Sequence, residues 1–161
     1  MLLVGCGYRA VYAGPAGELL SVQVGQVLVP DLIAAQAAAS AARAELAAAG
    51  RLRGESGPSR LLIDVLRVDE LSRGVRAQLG QPVASGMSVA VTLRGRIFGP
   101  ENEEPTLDTG DVRRSAQVAG DADPGTDSAA YEQALREAAE RAGAAVGRLA
   151  LGIPEPADET P

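Results

Sequence analysis

From Asp127 to Leu149 the apolar side chains Tyr131, Leu135, Ala138 or Ala139, Ala142, Val146 and Leu149 recur every three or four residues, with Glu132, Arg136, Glu137, Glu140 and Arg141 between them. That spacing gathers the apolar groups on one side of an α-helix, and the charges opposite can pair at i,i+4. Such a helix has one face that must be covered, so the chain has to build a second layer for it. Within the helix, Gly143 and Gly147 form a small-xxx-small pair, which predicts close approach of the helix to a sheet. Asp127 is the expected N-cap, preceded by a linker over 120–126.

The covering layer is readable upstream. Between Glu18 and Val29 the residues Leu20, Val22 and Val24 alternate with Ser21, Gln23 and Gly25, the period of a half-buried strand. Pro30 ends it. Asp31 then caps a helix over 32–49, dense in alanine, with Leu32 or Ile33, Ala35, Ala39, Ala42 and Leu46 at helical spacing and Gly50 as its stop. This stretch carries Gln36, Ser40, Arg43 and Glu45, so it is too polar for a membrane span. After a glycine-, serine- and arginine-rich loop over 51–59, the run 61–68 is β-prone on both faces and reads as a central strand. The segment 71–86, with its glycines and a proline, reads as a long hairpin connection. A third strand follows over 88–98. The segment 99–110 reads as a loop, and 112–118 as a fourth, weaker strand.

The expected order is β-α-β-β-β-α. Short connections make the last three strands an antiparallel meander, while the first helix is a crossover that makes strands one and two parallel if they are adjacent. The fold class is therefore α+β: a two-layer sandwich, with a four-stranded, mostly antiparallel sheet and two helices packed on one face. A single domain over 6–151 is expected, followed by a disordered tail over 152–161 with three prolines and three acids.

Composition narrows the chemistry. The chain of 161 residues has no histidine, lysine or tryptophan and one cysteine, and all fifteen basic residues are arginine. Without histidine there is no side chain that titrates near neutrality unperturbed. A single cysteine forms neither an internal disulfide nor a multi-cysteine metal site. The net charge of −6 disfavours general attraction to nucleic acid. No catalytic residues, metal ligands or cofactor are expected. The nearest approaches to carboxylate pairs, Asp69 with Glu70 and Asp108 with Asp111, read as solvated turn acids. Four arginines stand out instead. Arg94 and Arg96 lie on the third strand, Arg113 and Arg114 on the fourth, and strand pairing would bring Arg94, Arg96 and one of the latter onto the face away from the helices. Two readings are open: a cationic patch whose guanidinium forks suit phosphate, or the ordinary wet face of an antiparallel sheet paired with acids.

The N-terminus carries the remaining signal. Leu3-Val4-Gly5-Cys6 places the cysteine after a small residue and an apolar run, which resembles the lipobox of bacterial lipoproteins. On that reading residues 1–5 are the remnant of a signal peptide and Cys6 is the lipid anchor. The other reading is a small apolar side chain. Burial of acyl chains contributes about 0.8 kcal/mol per methylene, so two or more chains hold a protein on a membrane. The Cys6-Gly7-Tyr8 opening, followed by strand, alanine-rich helix, three strands and amphipathic helix, resembles the LptE family of lipopolysaccharide-assembly lipoproteins, over most of 6–151. The resemblance implies a lipid-anchored protein at the periplasmic face of the outer membrane, partner and plug of the β-barrel transporter LptD. It also implies contact with lipopolysaccharide, for which Arg94, Arg96, Arg113 and Arg114 are the candidates. The alternative is a periplasmic lipoprotein module that activates a cell-wall synthase.

Overall fold

A computed structural model describes residues 18–29, 32–54, 56–72, 75–78, 81–84, 86–118 and 124–154. Cys6 and residues 1–5, the proposed cap Asp31, and the tail from 155 lie outside the described residues. In chain order the elements are β1 (Ser21–Val27), α1 (Leu32–Ala48), β2 (Arg60–Ser72), β3 (Val75–Gln78), β4 (Gln81–Ala84), β5 (Met87–Phe98), β6 (Leu107–Val118) and α2 (Pro124–Ala150). The main sheet has the order β1-β2-β5-β6, with β1 parallel to β2 and the other neighbours antiparallel. Both helices pack on one face, α1 on β1 and β2, α2 on β5 and β6. This is the two-layer α+β sandwich that the pattern predicts.

Strand alternation sets the inner face. Leu61, Ile63 and Val65 of β2 and Val89, Val91 and Leu93 of β5 are fully buried, in one core cluster with Leu135, Ala138, Ala142 and Val146 of α2. Alanine makes up most of what α1 buries: Ala34, Ala35, Ala37, Ala38, Ala39 and Ala42, together with Leu46. Both helices end in the same motif. Gly50 N–H donates to Ala47 O and Arg51 N–H to Leu46 O after α1, while Gly152 N–H donates to Leu149 O and Ile153 N–H to Arg148 O after α2. Gly50 and Gly152 adopt φ of 66° and 74°, the left-handed conformation that lets the chain turn back on these carbonyls.

The structure departs from the sequence reading in four places. Gly143 and Gly147 do not face the sheet. They face α1, where Gly143 lies against the backbone of Ala38 and Gly147 against Ala42 and the Glu45 side chain. The residue that admits α2 to the sheet is Gly95 of β5, under Val146. The segment 71–86 is not a plain connection: β2 runs to Ser72, and β3 and β4 form a separate two-stranded ribbon. Glycine and proline in that segment imitate a loop, but its pairing continues the register of the long β2–β5 hairpin. β6 starts at Leu107 rather than 112, because its acids pair across the sheet with arginines. Finally, α2 starts at Pro124, three residues before Asp127; proline suits a first helical turn, whose N–H groups have no partner in the helix.

The outer strands have carbonyls occupied by arginine. Arg43 of α1 donates to Val22 O on β1 at 3.0 Å, and Arg141 of α2 donates to Ser115 O on β6 at 3.0 Å. Such contacts make a sheet edge a poorer template for another strand.

Candidate functional site: the open face of the sheet

On the face away from the helices, register brings three of the four expected arginines together. Arg94 and Arg96 alternate on β5, and Arg113 stands opposite Thr92, two residues before Arg94. Arg114 stands opposite the buried Val91, on the helix side, with its Nη1 on Arg113 O at 2.7 Å. The alternation of a strand allows only one of two adjacent arginines on each face.

Each of these guanidinium groups meets a carboxylate. Arg94 Nε donates to Asp108 Oδ1 at 3.0 Å and lies 3.8 Å from Asp111 Oδ1. Arg96 Nη2 donates to Asp64 Oδ2 at 2.6 Å. Asp69 accepts from Arg67 at 3.0 Å and lies 3.3 Å from Arg113. Asp69 therefore belongs to β2, and Asp108 and Asp111 to β6; none of them is a turn acid. Arg67, Arg94, Arg96 and Arg113 form a ladder with Asp64, Asp69, Asp108 and Asp111 on this face, and Arg60 lies beside it over Phe98. Asp69 lies two residues from Arg67, an alternation present in the sequence, whereas Asp108 and Asp111, three apart, share the face only through the register shift between Arg94 and Arg96.

The ladder has a structural and an exposed part. Asp64 is only 3% exposed, and its second oxygen accepts the Gln26 N–H at 2.7 Å. Arg96 leans over the ring of Phe98, 5.8 Å from its centroid, with Arg60 at 5.3 Å. Arg96 Nε and Thr92 Oγ1 are buried and have no hydrogen-bond partner among the described residues. Arg94, Arg113 and Asp111 are by contrast half exposed. The Asp108 carboxyl is held below its ordinary pKa, first by the Gly110 N–H, which donates to it at 2.9 Å, and then by Arg94.

Elsewhere, a cavity of about 230 Å³ opens at the end of the sandwich where β1 begins, between Leu20, Ile97, Leu107 and Leu151, with Glu18 and Arg51 also lining it. Among the described residues no group of three acidic or cysteine side chains is arranged to hold a metal ion. No described helix is long and apolar enough to cross a membrane.

The fold and this face define a two-layer α+β sandwich with a charge-paired open sheet face. In arrangement it is similar to a candidate lipoprotein from Caulobacter crescentus CB15 (TM-score 0.49, 17% identity, 82% of this chain and 84% of that one). It is also similar to a minor lipoprotein from Acinetobacter baumannii (0.47, 10%, 83% and 94%) and to a DUF330 protein from Xanthomonas campestris (0.46, 15%, 86% and 90%). No family model and no curated protein matches the chain.

Proposed function

We propose that this chain is a non-catalytic lipoprotein, anchored through acyl groups on Cys6 at the periplasmic face of the outer membrane. In this reading it acts as a structural partner of a membrane-assembly machine, as LptE does for LptD. The observation that carries the reading is Leu3-Val4-Gly5-Cys6 ahead of a sandwich whose helices and main-sheet strands follow the expected order. The open face supports a docking role. Its guanidinium and carboxylate groups are held by strand pairing and by one another, so a partner surface meets oriented donors and acceptors at little entropic cost.

Lipopolysaccharide phosphates would have to compete with Asp69, Asp108 and Asp111 for Arg94 and Arg113, the half-exposed members of the ladder. Arg96 is held by the buried Asp64 and is the structural member.

Mass spectrometry of protein extracted from native membranes tests the anchor: the expected product begins at an acylated Cys6, and a soluble protein retaining Met1 overturns it. Crosslinking in the same membranes tests the partner. Recovery of a large β-barrel supports the proposal, whereas recovery of a penicillin-binding protein replaces it with the synthase-activating alternative.

A further inference from the structure

The long hairpin does not end with the main sheet. β2 and β5 pair as far as Ser72↔Met87, and the ribbon continues with Val75↔Ala84, Arg76↔Val83, Ala77↔Pro82 and Gln78↔Gln81, each pair keeping the same register. Among the described residues, β3 and β4 pack extensively only on each other. An isolated two-stranded ribbon is marginal in water, and its unpaired edges are templates for another strand.

The two edges are not equivalent. Gln78 and Gln81 flank a two-residue connection, which makes them a hydrogen-bonded pair, and pairs then alternate along the ribbon. Ala77↔Pro82 and Val75↔Ala84 are accordingly the pairs whose backbone groups point outward. Proline has no N–H, so the outer edge of β4 lacks a donor at Pro82. β3 offers the N–H and C=O of both Val75 and Ala77.

Charge adds a preference. In a chain of net charge −6, the thirty residues 71–100 contain four arginines and no acid. Two of these, Arg94 and Arg96, are neutralised on the main sheet, and Arg76 is the one charged residue of β3 and β4, which makes the ribbon basic. We infer that β3 is a docking edge, taking an extended acidic segment of a partner protein as an added strand, with β4 closed to such addition by Pro82.

The test uses the full chain and a fluorescein-labelled peptide in which aspartate alternates with valine and threonine, beside its lysine-for-aspartate counterpart, read by fluorescence anisotropy. Expected are binding of the acidic peptide roughly tenfold tighter than of the basic one, loss of that binding in Ala77→Pro, and inversion of the preference in Arg76→Glu. Because the Ala77 N–H points outward, Ala77→Pro leaves the β3–β4 ladder intact. Amide exchange checks this through the inward N–H groups of Gln78 and Gln81, and in the unaltered chain it should show peptide-dependent protection at Val75 and Ala77. Equal binding of the two peptides, protection confined to β4, peptide-independent self-association lost in Ala77→Pro, or preference for phosphatidylglycerol vesicles over the acidic peptide each overturns the inference. The outcome does not depend on the anchor at Cys6.

Discussion

Arg96 Nη2 donates to Asp64 Oδ2 at 2.6 Å across the β2–β5 pair, and the other carboxylate oxygen takes the Gln26 N–H of β1. One buried carboxylate thus ties together three strands, including the parallel strand that α1 delivers. Removing a partner from a buried pair is costly because the remaining group keeps its desolvation without its compensation. Arg96 is about one third exposed, which moderates the effect. Asp64→Ala is expected to lower stability by about 2–3 kcal/mol, and Asp64→Asn, which keeps acceptors, by less. Joint replacement by Asp64→Leu and Arg96→Met should recover most of the loss. Urea unfolding measures all three; an Asp64→Ala midpoint equal to that of the unaltered protein would show that the tie carries no stability.

The same relationship governs how lipopolysaccharide contact is probed. Arg96→Glu would set a carboxylate against Asp64 and destabilise the sheet, so weaker binding in that variant would report unfolding. Arg94→Gln with Arg113→Gln removes only half-exposed groups and should leave stability within about 0.5 kcal/mol. If those arginines meet lipid A phosphates, the double variant binds lipopolysaccharide several-fold more weakly in a salt-dependent manner, as for charge contacts generally. Unchanged affinity with unchanged stability removes the arginines from the contact.

Alternation in β1 and β5, the run of β2 that is β-prone on both faces, and the three-to-four spacing of α2 made the two-layer fold and the order of its main-sheet elements legible. What escaped the sequence depends on partners distant along the chain. Asp108 and Asp111 look like loop residues until Arg94 and Arg96 are seen across the sheet. The destination of Gly143 could not be read, since a small residue signals close approach without naming the neighbour. The pairing of Arg94 and Arg113 with acids follows from register, which local patterns leave free.

The contact of Gly143 with the backbone of Ala38 sets how closely α1 and α2 pack. A methyl there would lie 2.6 Å from Ala38 Cα and still closer to its carbonyl oxygen, and backbone cannot move aside as a side-chain tip can. Alanine gains about 1 kcal/mol of helix propensity over glycine. Overpacking should exceed that gain, making Gly143→Ala destabilising by about 1–3 kcal/mol. At Gly147 the nearest obstacle is Glu45 Cβ at 2.9 Å, with Ala42 Cα at 3.3 Å, so Gly147→Ala should cost less than Gly143→Ala. Thermal unfolding of both variants checks the order; a more stable Gly143→Ala protein would show that the helices are further apart than described.

Gly95 and Val146 form a matched pair between sheet and helix. A side chain on Gly95 would run into Val146 Cγ1, with Thr109 Cγ2 at 3.2 Å on its other side. Gly95→Ala should therefore cost about 1–3 kcal/mol, and Val146→Ala alone about 1–2 kcal/mol through the space it leaves. Combined, the substitutions should cost less than their sum, because the new methyl occupies the vacated volume. A coupling near zero in the double-mutant cycle would mean that the two residues do not touch.

Asp108 gives the open face a pH dependence of defined sign. Its carboxyl is held low by the Gly110 N–H and then by Arg94, so the folded protein favours the ionised form more than the unfolded chain does. The resulting stabilisation is present above the unfolded value and is lost as pH falls through the lower folded value, a window beginning near about pH 4 and running downward. Asp108→Asn should flatten stability against pH in that window and leave the neutral range with a small constant loss, since the amide oxygen can still accept from Gly110. Carbon-detected NMR titration of the Asp108 carboxyl supplies the direct check. A midpoint at or above that of aspartate in an unfolded peptide would show that neither the Gly110 N–H nor the Arg94 fork holds the charge.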